Sequence, residues 1–167
     1  LEFRRVLFRS VGTNVDLSQN VGGDSYWRAG GTYRTSNTLS YAHGTGNVNF
    51  QIDMELDGSN AASSTTDSWA AAGTFKAGAA SIALGYRDVK DDHEYTGISA
   101  KIGLGAVNMH VGYSTQDDGS ADNTTGVALG VSGGSGDISW WAMAEDVSDD
   151  DAGTDFSAIN LNVLRNM

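Results

Sequence analysis

Residues 47–56 read NVNFQIDMEL, and apolar and polar side chains alternate through this stretch without interruption. Every second residue is apolar: Val48, Phe50, Ile52, Met54 and Leu56. Successive side chains of a β-strand point to opposite faces of the sheet, so this alternation predicts a strand with one apolar and one polar face. A helix would need apolar residues at every third or fourth position, and this stretch lacks that spacing.

The same period of two recurs along the rest of the chain. It predicts about nine strands, near residues 38–43, 47–56, 68–75, 81–87, 98–104, 107–114, 127–131, 138–146 and 157–164. Trp140 and Trp141 are adjacent within one of these strands and must therefore point to opposite faces. Helical spacing matches almost nowhere, so we expect an all-β chain.

The connections between the predicted strands alternate strictly between two kinds. Short, glycine-containing connections are GTGN (44–47), KAGAA (76–80), GLGA (103–106) and GGSGD (133–137). Long, mostly acidic connections are DGSNAASSTTD (57–67), VKDDHE (89–94), QDDGSADN (116–123) and SDDDAGTD (148–155). Tight turns pair consecutive strands antiparallel, which predicts a meander. Short turns at one end and long loops at the other are typical of outer-membrane barrels, whereas a soluble sandwich has no reason for this asymmetry.

The two faces of the strands differ in a way that favours a barrel. The non-apolar face is rich in Gly, Ala and Ser, which suits a polar lumen lined by modest side chains. The period of two places five polar residues on that lumen face: Asp53, Glu55, Arg87, Lys101 and His110. On the apolar face, aromatic residues lie near the strand ends, where membrane-interface girdles are expected: Trp69, Tyr86 and Tyr113 beside long loops and Phe75 beside a short turn.

Charge and composition exclude several classes of protein. Residues 1–10, LEFRRVLFRS, back-translate to a string that looks like a short-read sequencing adapter, so we treat them as non-native. Without their three arginines and one glutamate, the formal net charge falls from −11 to −13, which argues against nucleic-acid binding. There is no cysteine, which excludes thiolate catalysis and disulfides. No apolar run approaches the ~20 residues of a membrane-spanning helix.

Enzyme and metal motifs are weak. Residues 130–134, GVSGG, match G-x-S-x-G, but no helix is predicted after Ser132, which we expect in a glycine turn. The three histidines are too scattered for a metal triad. The acidic runs 116–123 and 148–155 have oxygen ligands for Ca²⁺ but not the EF-hand spacing, and solvated loop carboxylates are the preferred interpretation. We therefore predict no enzymatic activity, no resident metal and no cofactor.

Residues 33–55, YRTSNTLSYAHGTGNVNFQIDME, resemble a stretch of the general diffusion porins of Gram-negative bacteria, and the resemblance extends from Val11 to the end of the chain. It implies a homotrimer in the bacterial outer membrane, in contact with lipid, whose water-filled channels pass small polar solutes and ions. It also implies that residues 11–33 are the remainder of a constriction loop. Residues 34–167 would then be middle and later barrel strands, truncated at both ends, because such barrels have ~16–18 strands.

The resemblance also implies a set of charges at the constriction. Arg34, with Arg28, would lie on the wall that faces the constriction loop, and that loop would carry Asp16 and Asp24. Opposed acids and bases across a narrow aqueous gap create a transverse field, and acidic rings favour cations. We therefore expect passive conduction with a mild cation preference.

Two other classes of function remain open. One is another outer-membrane barrel, either an adhesin or a specific sugar channel, and the latter would need a track of aromatic residues along the lumen. The other is a soluble β-sheet binding protein, which would stay monodisperse without detergent. One residue conflicts with the lipid-facing pattern: Arg165 shares a face with Ile159, Leu161 and Val163, which would aim its charge at lipid.

Overall fold

The structure, a computed structural model, describes residues 38–55, 68–90, 93–117, 119, 123–149 and 154–165. These residues form nine strands: β1 (Thr38–Thr45), β2 (Val48–Glu55), β3 (Ser68–Ala77), β4 (Ala80–Val89), β5 (Glu94–Leu104), β6 (Val107–Asp117), β7 (Asn123–Ser135), β8 (Ile138–Asp149) and β9 (Thr154–Arg165). All nine belong to one sheet, in chain order, and each neighbouring pair is antiparallel. The predicted all-β antiparallel meander is confirmed. Within the described ranges, no helix has the length and hydropathy needed to cross a membrane.

The connections alternate as predicted. Four are two-residue turns, at 46–47, 78–79, 105–106 and 136–137, and each begins with a glycine whose φ is positive, between 55° and 76°. Glycine reaches this region without strain, and such turns match the twist of a hairpin. The other connections, 56–67, 90–93, 118–122 and 150–153, are longer, and the strand ends that they join lie at the opposite end of the sheet. We call the two ends the turn end and the loop end.

Several strands extend further than the sequence predicted. Ser132 was expected in a glycine turn, and this was wrong: β7 continues to Ser135, and only residues 136–137 form the turn. Residues 148–155 were expected to be a loop, yet Ser148 pairs with Asp155 at the ends of β8 and β9. Glycine and aspartate are rare in strands, but the ladder of backbone hydrogen bonds needs no particular side chain, and between β7 and β8 the two-residue turn 136–137 sets the pairing.

The two faces of the sheet differ sharply in exposure. Large apolar side chains stand on one face, the outer face, and remain exposed; Leu84 and Leu129, for example, are 56% and 57% exposed. The opposite, inner face carries small side chains that are buried, such as Ala83, Ser99 and Ser114. Because the described strands form a single layer, burial on one face alone means that this face is concave. A soluble sandwich would instead cover its apolar face with a second sheet.

A glycine on the outer face gives a prediction about packing. A Cβ atom at Gly133 would lie 2.8 Å from Trp140 Cζ2 and 2.9 Å from the carbonyl oxygen of Ala106. We expect Gly133→Ala to destabilise the sheet by about 1–3 kcal/mol, because the indole must move away. Gly73→Ala is the matched control, since its nearest atom would be the Asn49 carbonyl oxygen at 3.9 Å. Urea unfolding in detergent micelles measures both, and equal midpoints would contradict the close contact.

Candidate pore wall

The register of the strands sorts the inner-face residues into rows that run across the sheet. The row nearest the loop end that spans β2 to β8, called the loop-end row, contains Asp53, Ala70, Arg87, Tyr95, Gln116, Thr124 and Asp149. Two further rows towards the turn end consist mostly of Gly, Ala and Ser. The next row, called the basic row, contains Lys76, Ser81, Lys101, His110, Gly130, Met143 and Asn160. The inner face therefore has two polar rows, separated by two rows that consist mostly of small residues.

An ion pair joins three strands at the loop end. Arg87 Nη2 lies 3.2 Å from Glu55 Oε2, and the two side chains are only 15% and 22% exposed. Ser68 Oγ donates a hydrogen bond of 2.9 Å to the same carboxylate oxygen, and Arg87 Nη2 lies 3.4 Å from Ser68 Oγ. The period of two placed Glu55 and Arg87 on one face, and the structure brings them together. The cluster therefore presents a dipole rather than two separate charges on the inner face.

The other inner-face acids described are also held by neighbours. Gln51 Nε2 donates to Asp53 Oδ1 and Oδ2 at 2.8 and 2.9 Å, and the Asp53 side chain is buried. Asn160 Nδ2 donates to Glu145 Oε1 at 2.6 Å, and Glu145 is buried as well. Glu145 was not among the predicted lumen residues, although the same period of two would have found it.

Lys101 and His110 are direct cross-strand neighbours on β5 and β6. The Nε2 atom of His110 lies 2.8 Å from Ser132 Oγ on β7, and the imidazole is buried. This hydrogen bond fixes the orientation of the ring against the wall. The sequence placed both basic residues on the lumen face but gave no reason to expect them side by side.

The predicted constriction residues cannot be compared in the same way. Asp16, Asp24, Arg28 and Arg34 lie outside the described residues. Their placement at a constriction therefore stays a prediction, as does the assignment of residues 11–33 to a constriction loop and of residues 1–10 to a non-native segment.

The aromatic residues predicted for membrane interfaces lie on the outer face. Trp69 and Tyr86 pack with ring centroids 5.1 Å apart, and Trp69 Nε1 donates to Asp88 Oδ2 at 3.1 Å. Tyr113 lies in the loop-end half of β6, and Phe75 lies near the turn end of β3. Two further aromatic residues, Phe50 and Trp140, lie on the outer face towards the turn end; the sequence analysis did not assign them to an interface girdle.

Arg165 is less anomalous than the sequence indicated. It stands on the outer face as predicted, but it is the last residue of β9, at the turn end, opposite Ile138. Its Nε atom lies 3.7 Å from Asp137 Oδ2, and both side chains are largely exposed. Its guanidinium therefore lies beside a carboxylate at the margin of the sheet rather than in the middle of the apolar face.

Among the residues that the structure describes, no three His, Asp or Glu side chains are grouped so that they could hold a metal ion. The inner face does carry aromatic residues that the sequence reading did not place there: Tyr95, Trp141 and Phe156. They lie on β5, β8 and β9, in three different rows. They do not form a continuous track along the lumen.

Comparisons with known proteins agree with this geometry. No protein-family model matches the sequence, and a search of curated proteins gives no significant match. A solved structure described as porin refined at 1.8 Å resolution matches with a TM-score of 0.64 at 18% sequence identity. The match covers 78% of this chain and 51% of that porin chain, so this chain spans about half the porin's length. At this level of identity the likeness shows the fold alone: the described strands form a porin-like sheet.

Proposed function

We propose that this chain forms part of the wall of a porin-like channel in a bacterial outer membrane, through which small hydrophilic solutes and ions diffuse passively. The exposure of the two faces carries the proposal. The outer face presents exposed apolar side chains, and the sheltered inner face holds the hydrogen-bonded polar groups. This distribution is the reverse of that in a soluble protein, and it suits a barrel wall with lipid on the outside and water on the inside.

Further strands would complete the barrel. Among the nine described strands, β1 and β9 each have a neighbour on one side only. An open strand edge is not tolerated within the hydrocarbon region of a membrane, because its backbone groups have no partners there. We therefore propose that residues 34–167 are part of a larger barrel, which by resemblance would assemble as a homotrimer.

The inner face also supports a constriction segment. Ser114 is fully buried, although its cross-strand neighbours Gly97 and Gly126 have no side chains to cover it. We propose that residues 11–33 supply the cover and thereby narrow the channel, with Asp16 and Asp24 facing Arg28 and Arg34.

Planar lipid bilayers and liposome swelling test the channel with the complete protein that contains this chain. We expect stepwise, ohmic conductance and uptake rates that fall smoothly with the size of uncharged sugars, because passive diffusion through a wide pore selects by size. Heat-denatured protein is the control. A folded, inserted protein without conductance would overturn the proposal, and saturable uptake of one sugar would favour the specific sugar channel instead. The separation of Tyr95, Trp141 and Phe156 argues against that alternative.

A further inference from the structure

The basic row places four polar side chains next to one another on neighbouring strands. Lys76 on β3 is opposite Ser81 on β4, Ser81 is opposite Lys101 on β5, and Lys101 is opposite His110 on β6. All four belong to the inner face. Since neighbouring strands lie ~4.8 Å apart, the four positions span about 14 Å of the wall.

The two lysines of this row differ from the arginines described elsewhere. Arg87 is paired with Glu55, and Arg165 lies beside Asp137. Lys76 and Lys101 form no ion pair or side-chain hydrogen bond with any residue in the described ranges. In a chain with a net charge of −11, two cations with no ion-pair partner among the described residues, at one height of the inner wall, are a local reversal of the overall charge.

Among the described residues, no carboxylate lies in the part of this row that contains the two lysines. The nearest one described on the inner face is Glu145, which lies one row towards the loop end on β8 and accepts a hydrogen bond from Asn160. Asp53 and Asp149 lie three rows away, or about 20 Å along the strands. Among the described residues of the inner face, the full charges nearest to Lys76 and Lys101 are therefore those of the row itself.

The row also has the donors and the space that an oxyanion needs. Each lysine ammonium has three donors, the Ser81 hydroxyl adds one, and the His110 ring is oriented by Ser132. The adjoining row contributes Thr74, Ala83, Ser99 and Gly112 on these four strands, so side chains of modest size leave room beside the charged ones. Lysine binds tetrahedral oxyanions as a point charge.

We propose that the basic row formed by Lys76, Ser81, Lys101 and His110 is a binding site for small tetrahedral oxyanions that cross the channel. The inference rests on the proposed channel function and adds a class of solute to it. A site of this kind holds an anion briefly within the lumen. It is compatible with a mild cation preference of the whole pore, because selectivity and transient binding are measured separately.

Sulfate is the probe, because it stays doubly negative across the pH range in which the channel can be studied. With the complete protein in planar bilayers, added potassium sulfate should lower the single-channel KCl conductance in a saturable manner, relative to KCl at the same ionic strength. Lys101→Gln and Lys76→Gln should each raise the half-blocking sulfate concentration about fivefold or more, as expected when one charge-assisted contact is lost. Lys90→Gln, a lysine outside the row at the loop end, is the matched control and should leave the block unchanged.

The outcomes separate the site from the channel. Conductance that sulfate does not affect, or an equal block in the parent and Lys101→Gln, would overturn the site and leave the channel intact. Absence of any conductance would overturn the channel. In that case sulfate is titrated into detergent-solubilised protein while the ring-proton NMR signals of His110 are followed: a saturable shift that Lys101→Gln abolishes supports the site, and its absence overturns it.

Discussion

The Ile52→Arg substitution is expected to lower the stability of the protein folded in a lipid bilayer by about 2–4 kcal/mol, the cost of a cation on the lipid side of a barrel near the midplane. Ile52 stands near the middle of β2 on the outer face and is 42% exposed. Gln51→Arg, one residue earlier, should change the stability by less than about 0.5 kcal/mol, since the guanidinium can take over the contact with Asp53 on the wet face.

Urea-induced unfolding of the complete protein from liposomes, followed by tryptophan fluorescence, measures both variants. The comparison is informative because the two residues are adjacent in sequence and stand on opposite faces of the same strand. A larger loss for Gln51→Arg than for Ile52→Arg would place the inner face against lipid. Equal losses would show that neither face meets hydrocarbon.

The second large effect concerns this chain by itself. The 167-residue chain should aggregate in plain buffer and become monodisperse only in detergent. Two features drive this: β1 and β9 each present an edge without a neighbour among the described strands, and the outer face exposes a contiguous apolar surface. Size-exclusion chromatography with light scattering decides the matter, and a stable monomer without detergent would contradict the barrel assignment.

The faces of the wall could be read from the sequence, whereas its rows could not. Which face a side chain occupies depends only on the local period of two, and Lys101 and His110 do share one face of the sheet, the inner face. Which residues share a row depends on register. Two-residue turns fix it within a hairpin, as for Lys76 with Ser81 and Lys101 with His110. The pairing of Ser81 with Lys101 crosses the longer connection 90–93, whose length does not determine the register.

Strand ends were harder to predict for a related reason. Glycine at 133 and 134 reads as a turn, yet both residues pair with β8. In this single-layer sheet glycine also occurs within strands, so a pair of glycines does not identify a turn as it does in most proteins. The hydrogen bond between Asn160 and Glu145 was likewise out of reach, because it depends on the pairing of β8 with β9.

The strictly sequential pairing of the strands has a consequence for how such a wall can change in evolution. Every described strand pairs only with the strand before it and the strand after it. Duplication or loss of one hairpin therefore alters a single seam and leaves the remaining ladders intact. Since the diameter of a barrel grows with its number of strands, the hairpin is a unit by which a barrel of this kind can be widened or narrowed in discrete steps while its two faces keep their character.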